Sequence, residues 1–146
     1  MRLPFVALAL LSSSALAQTE GELTEVAKRM QRPQQSLRES LADCDRYQGS
    51  MNDCAGYAFH LKDIALNGVY KSLVSSTGTA SAKRMLASSQ RAWIVFRDRD
   101  CAYEASGVQG GSMHAGWMYR CLEERTATRI QQLNAMLACT APGCHP

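Results

Sequence analysis

Six cysteines, three histidines, a glycine-flanked serine and two helix-borne aspartates are the residues of this chain whose types suggest chemistry. Their spacing argues against most of it. Ser112, in Gly110-Gly111-Ser112, lacks the G-x-S-x-G elbow that presents a hydrolase serine, and capping a helix is the simpler role. His60, His114 and His145 fall on a helix, a loop and a tail. His114 is within reach of Cys121 and Glu123 in sequence, but a nucleophilic cysteine must be a free thiolate. Asp63 and Asp98 resemble an acid–base pair, yet each has a lysine or arginine beside it, so ion pairing accounts for them. The pattern holds no catalytic constellation and implies no cofactor, so an enzyme is not expected.

The cysteines point to disulfides. Cys44, Cys54, Cys101, Cys121, Cys139 and Cys144 form no C-x-x-C pair, and Cys139 with Cys144-His145 misses the haem spacing, so no metal site is expected. Arg2, the apolar run Phe5 to Leu11 and Ala15-Leu16-Ala17 read as a cleavable signal peptide over residues 1–17. That run is shorter than the roughly 20 residues a bilayer span needs, and no second segment is longer. No cysteine follows the cleavage site to take a lipid anchor. A chain exported in this way, to the periplasm or beyond, carries an even cysteine count as three disulfides. Lysine and arginine total 16 against 13 acids, a net charge of +3, and Arg2 is the only charge lost with the leader. This balance lacks the concentrated basic face of a nucleic-acid binder.

Helices must position these residues. Residues 18–42 are polar, with Leu23, Val26, Ala27 and Met30 at helical spacing before Pro33, and read as a helical or flexible arm or linker. Residues 43–146 form the expected domain. From Met51 to about Ser75, Cys54, Tyr57, Ala58, Leu61, Ile64, Ala65, Val69 and Leu73 follow one helix face, with Ser50 or Asn52 as cap. Gly68 inside it suggests close approach by a neighbour. Thr79 or Ser81 starts a second helix whose inward stripe is Ala82, Met85, Leu86, Ser89, Trp93, Phe96 and Tyr103. A glycine-rich loop, Gly107 to Gly116, leads to a third helix ending near Ala138, with Trp117/Met118, Cys121/Leu122, Thr126, Arg129/Ile130, Leu133 and Met136/Leu137 inward. No strand alternation appears. The expected fold is all-α: a disulfide-stapled antiparallel three-helix bundle preceded by the arm. This topology gathers Cys54, Cys101 and Cys121 at one end. The expected pairs are Cys44–Cys54, Cys101–Cys121 and Cys139–Cys144, with Cys54–Cys101 as the competing choice.

The densest stretch is Gln90 to Cys101. Trp93, Arg97 and Cys101 lie four apart and stack on one helix face, beside Asp98. An arginine set in an aromatic stripe needs a partner if buried, and Asp63 or Glu123 are the candidates. At these residues the chain resembles the lysozyme-inhibitor LprI-type family of small exported bacterial proteins. The likeness rests on Asn52-Asp53-Cys54, Leu66-Asn67-Gly68-Val69-Tyr70, Gln90 to Cys101 with Trp93, Arg97 and Asp98, Gly110-Gly111-Ser112, Cys121, and Thr126 to Arg129. It runs from about Cys44 to Leu133. The resemblance implies a helical disulfide-bonded domain and, for some members, inhibition of lysozyme. The expected function is therefore a non-enzymatic inhibitor of a lysozyme-like glycan hydrolase, with Gly110, Gly111, Ser112 and His114 as contact residues. The alternative is a structural or envelope-stress protein with another protein or glycan partner. Nothing in the pattern indicates an oligomeric state.

Overall fold

A computed structural model describes the backbone of residues 11–139 and the side chains of residues 20–139. The described residues hold five α-helices and no strand: α1 (Leu11–Arg29), α2 (Gln34–Ala42), α3 (Gln48–Ser76), α4 (Ala80–Glu104) and α5 (His114–Ala138). None is long and apolar enough to cross a membrane. Of the expected leader, residues 1–10 lie outside the described residues, while residues 11–17 belong to α1.

The segment read as a polar arm is a pair of helices docked on the bundle. Leu23, Val26 and Ala27 of α1 and Leu37 of α2 are buried against Tyr57, Leu61 and Ile64 of α3. The chain reverses between them by ending α1 with Gln31 in the left-handed conformation, φ 54°, followed by Pro33 at the cap of α2. Amides of Gln31 and Arg32 close back onto the Lys28 and Ala27 carbonyls, satisfying the helix end. Arg38 of α2 pairs with Glu20 of α1, and both Arg32 and Ser40 donate to Asp53 of α3 at 2.8 and 2.7 Å.

α3 and α5 run parallel and pack closely, and α4 returns antiparallel along α5. The single expected stripe on α3 is two faces. Tyr57, Leu61 and Ile64 meet the N-terminal pair, while Phe59, Leu66 and Leu73 face α5 with Leu122 and Leu133. Gly68 has no neighbour within 4 Å of where a Cβ would sit; the close approaches are at Gly56, beneath Met30 and Tyr119, and at Gly116.

On α4 the buried residues are Gln90, Arg97 and Cys101, a narrow and mostly polar line. Met85, Phe96 and Tyr103, expected inside, are exposed, Tyr103 by 80%, because aromatic spacing marked the wrong side of that line. Trp117 of α5 is likewise outside. The caps also differ from expectation. Tyr47 and Met113 precede α3 and α5 without side-chain capping bonds, whereas Thr79 accepts from the Ala82 amide at 3.1 Å ahead of α4.

Two disulfides staple the end where α3 starts, α4 ends and α5 starts: Cys44–Cys54 and Cys101–Cys121. Cys139 is also disulfide-bonded, while Cys144 and His145 lie outside the described residues.

Candidate functional site

The residues of the densest stretch converge in a layer between α4 and its neighbours. Arg97 is 7% exposed. Its guanidinium donates to Asp98 (2.8 Å), Asp63 of α3 (3.3 Å) and the Thr126 hydroxyl of α5 (3.2 Å), and lies 5.3 Å from the ring centres of Phe59 and Trp93. The carboxylate from another segment is Asp63; Glu123, the other candidate, lies elsewhere. Asn67, one turn along α3, donates to the Asp63 carbonyl and carboxylate, and Arg29 of α1 reaches the second Asp63 oxygen at 3.1 Å. Asp63 thus joins three helices.

One turn further along α5, Arg129 packs on the same tryptophan, 5.6 Å from its ring centre. It donates to the side-chain oxygens of Gln90 and Gln132, both at 3.1 Å. Among the described residues no carboxylate pairs with it, and burial lowers its pKa. Tyr70 and Leu86 pack beside Trp93 in the adjoining apolar cluster. Asp63 and Asp98 both bind the Arg97 guanidinium and act as its counter-ions.

The disulfide end is different. The segment expected as a flexible loop or turn over Gly107 to Gly116 is a short, braced turn. A 3-10 turn covers Ala105–Val108, and α5 begins at His114. Amides of Gln109, Gly111 and His114 bond back to carbonyls within the turn, and Gly110 takes φ 79°, which a side chain would strain. Asn52 of α3 donates to the Ser112 carbonyl at 2.8 Å. A Cβ on Gly116 would lie 2.7 Å from the Asn52 side-chain oxygen, so glycine there lets α5 start against α3. Gly110, Gly111 and Ser112 stand exposed at the tip, with His114 half-buried at the base.

Beside this turn lie two hollows. One, of about 560 Å³, is lined by Glu104, Trp117, Arg120, Cys121, Glu123 and Glu124. The other, of about 420 Å³, includes Asp45, Met51, Cys54, Met113 and again Trp117, Arg120 and Glu123. Trp117, Arg120 and Glu123 form the ridge between them. Arg125 is held by Asp100 (2.9 Å), Glu104 and Glu124, and the hydrogen bond it donates to Asp100 raises its pKa. Asp100, Glu104 and Cys121 bring donor atoms together as a metal site would. Yet the sulfur is bonded to Cys101 and both carboxylates hold Arg125, so the trio is not free to bind an ion.

The family model of the lysozyme inhibitor LprI matches residues 42–133, a span that includes Asp63, Arg97, Thr126 and Arg129. The chain belongs to the lysozyme inhibitor LprI family. The matched span of this LprI-family chain takes in α3, α4, most of α5 and the disulfides Cys44–Cys54 and Cys101–Cys121, and leaves α1 and nearly all of α2 outside. An uncharacterized protein of Rhizobium meliloti (strain 1021) is similar to it, 28% identical over 119 residues that cover 73% of this chain and 82% of that protein. No solved structure matches. The disulfides and the family are consistent with an extracytoplasmic protein. Sequence reasoning missed Trp117, Met51 and Met113 as a group, because their positions on two helices and a turn share no periodicity.

Proposed function

We propose that this chain is an exported, non-enzymatic inhibitor of lysozyme-like cell-wall glycan hydrolases, with the Gly110–His114 turn as a contact element. The family match over residues 42–133 carries this reading. Two features support it. Gly110, Gly111 and Ser112 stand exposed at the tip of the turn between two helices, and a cleft is filled by something that protrudes. The turn is also ordered beforehand by Asn52 and by the Cys101–Cys121 bond at its base, so binding costs little ordering entropy. In this reading the Ser112 hydroxyl and His114 imidazole hydrogen-bond the catalytic carboxylates, and the glycines admit close backbone approach. The leader-like residues 1–17 and the disulfides support export.

The test is lysozyme turnover on cell walls with and without the purified chain. We expect inhibition by the wild type, and its loss in Ser112→Ala/His114→Ala with an unchanged melting temperature. Full inhibition by that double variant would remove the turn from the mechanism. Absence of inhibition against lysozymes of any charge would favour a structural or envelope-stress role with another partner.

A further inference from the structure

We propose that the Trp117 ridge is the anchor of a contact surface for a basic protein, with Asp45, Glu104, Glu123 and Glu124 as its acidic rim. The inhibitor reading supplies the identity of that partner, but the chemistry of the surface stands on its own geometry.

Three observations converge on it. The first is exposed apolar area. Trp117 is 55% exposed, and Met51 and Met113 stand exposed in the hollow on one side of it. A single exposed apolar residue is ordinary. A tryptophan flanked by two methionines over shared hollows matches the side chains enriched at the centres of protein interfaces. The second is rigidity. Cys44 and Cys54 wall one hollow and Cys121 the other, so two disulfides fix the helices that present the ridge. Little freedom remains to be lost on binding. The third is charge. The chain as a whole is positive, by +3, yet the carboxylates around the hollows outnumber Arg120 and Arg125. The surface is therefore a local inversion of the molecule's own sign, and it attracts a cationic partner that net charge would repel.

The same charge argues against other occupants. An anionic lipid surface or a nucleic acid would be repelled by the rim. A second copy docking by twofold symmetry would bring the acidic rim against itself.

The experiment titrates the isotope-labelled full chain with a basic lysozyme and, separately, with a lysine-rich peptide. Binding to lysozyme is expected to weaken roughly 30-fold or more in Trp117→Ala, the scale of an interface anchor, with thermal midpoint unchanged. Glu123→Gln/Glu124→Gln should slow association and flatten its dependence on salt. Wild-type affinity retained by Trp117→Ala would overturn the surface while leaving inhibition through the turn intact. If the wild type binds no lysozyme, the inhibitor reading fails and the peptide decides the surface. Peptide-induced shifts confined to Asp45, Met51, Glu104 and residues 113–124 and lost in Trp117→Ala support it. Shifts elsewhere, none at all, or shifts that survive that substitution overturn it.

Discussion

Trp93 and Trp117, the two tryptophans of the chain, sit among the same kinds of residue and come to opposite ends. Trp93 has the guanidiniums of Arg97 and Arg129 over its ring, and each guanidinium is hydrogen-bonded onward to Asp63, Asp98, Thr126 or Gln90. Trp117 has Arg120 and glutamates around it but stands more than half exposed between two hollows. The lesson concerns satisfaction rather than composition. Where arginine, aromatic ring and carboxylate complete one another within the chain, they hold helices together. Where the ring is left open at a stapled end, the same set becomes a surface for something else.

The strongest way to break this comparison is Arg97→Ala. Its carboxylates, Asp63 and Asp98, would lose their shared cation, and Thr126 a donor. Removing one member of a buried pair typically costs roughly 3–5 kcal/mol. We expect the low end of that range, because both aspartates keep contact with water. A denaturant midpoint unchanged from wild type would show that the layer does not hold the bundle. At the other end, Cys101→Ala/Cys121→Ala opens a loop of sequence separation 20 and should cost on the order of 3 kcal/mol. A smaller loss would mean that the braced turn and Asn52 already hold the junction. Trp117→Ala sharpens the contrast from the open side. It should change stability by less than about 0.5 kcal/mol, as surface substitutions do. A shift near that of Arg97→Ala would place Trp117 in the core after all.

The smallest effect is a titration. His60 lies against the rings of Phe59 and Tyr119 at 4.9 and 5.9 Å, and burial holds its pKa below the usual histidine value, with Asp63 opposing. The unfolded chain, titrating near 6.5, takes up the proton first. Stability is therefore full above about pH 6.5 and falls as pH drops toward the folded pKa. His60→Gln should flatten the dependence of melting temperature on pH between about 5 and 7. An unaltered slope would assign that dependence to other groups.

The buried layer was legible because it uses one helix and short spacing. Trp93, Arg97 and Cys101 recur every four residues, and Asp63 was already a candidate partner for Arg97. The outward side of α4 was not. Its buried line, Gln90, Arg97 and Cys101, is poorer in hydrophobicity than the exposed Met85, Phe96 and Tyr103, so a search for apolar periodicity selects the solvent face. The docking of α1 and α2 escaped for a related reason. Their apolar residues are divided between two helices, and their receiving surface on α3 merges in sequence with the face turned to α5. The Trp117 surface is assembled from a loop, two helix starts and a turn, and such a juxtaposition leaves no local pattern to read.

Asp63 has a consequence for processing. Its two oxygens answer separately to Arg29 and Arg97, so the N-terminal helix pair, though outside the family span, is tied to the buried layer inside that span. Removal of residues 1–17 would leave Glu20, Leu23, Val26, Ala27 and Arg29 in place, and with them every described contact between α1 and the bundle. A cut ten residues further on would strip the cover from Tyr57, Leu61 and Ile64 and leave an apolar strip along α3 open to aggregation. Packing, rather than the family boundary, thus sets how much of the N-terminus a protease can take before the apolar face of α3 is uncovered.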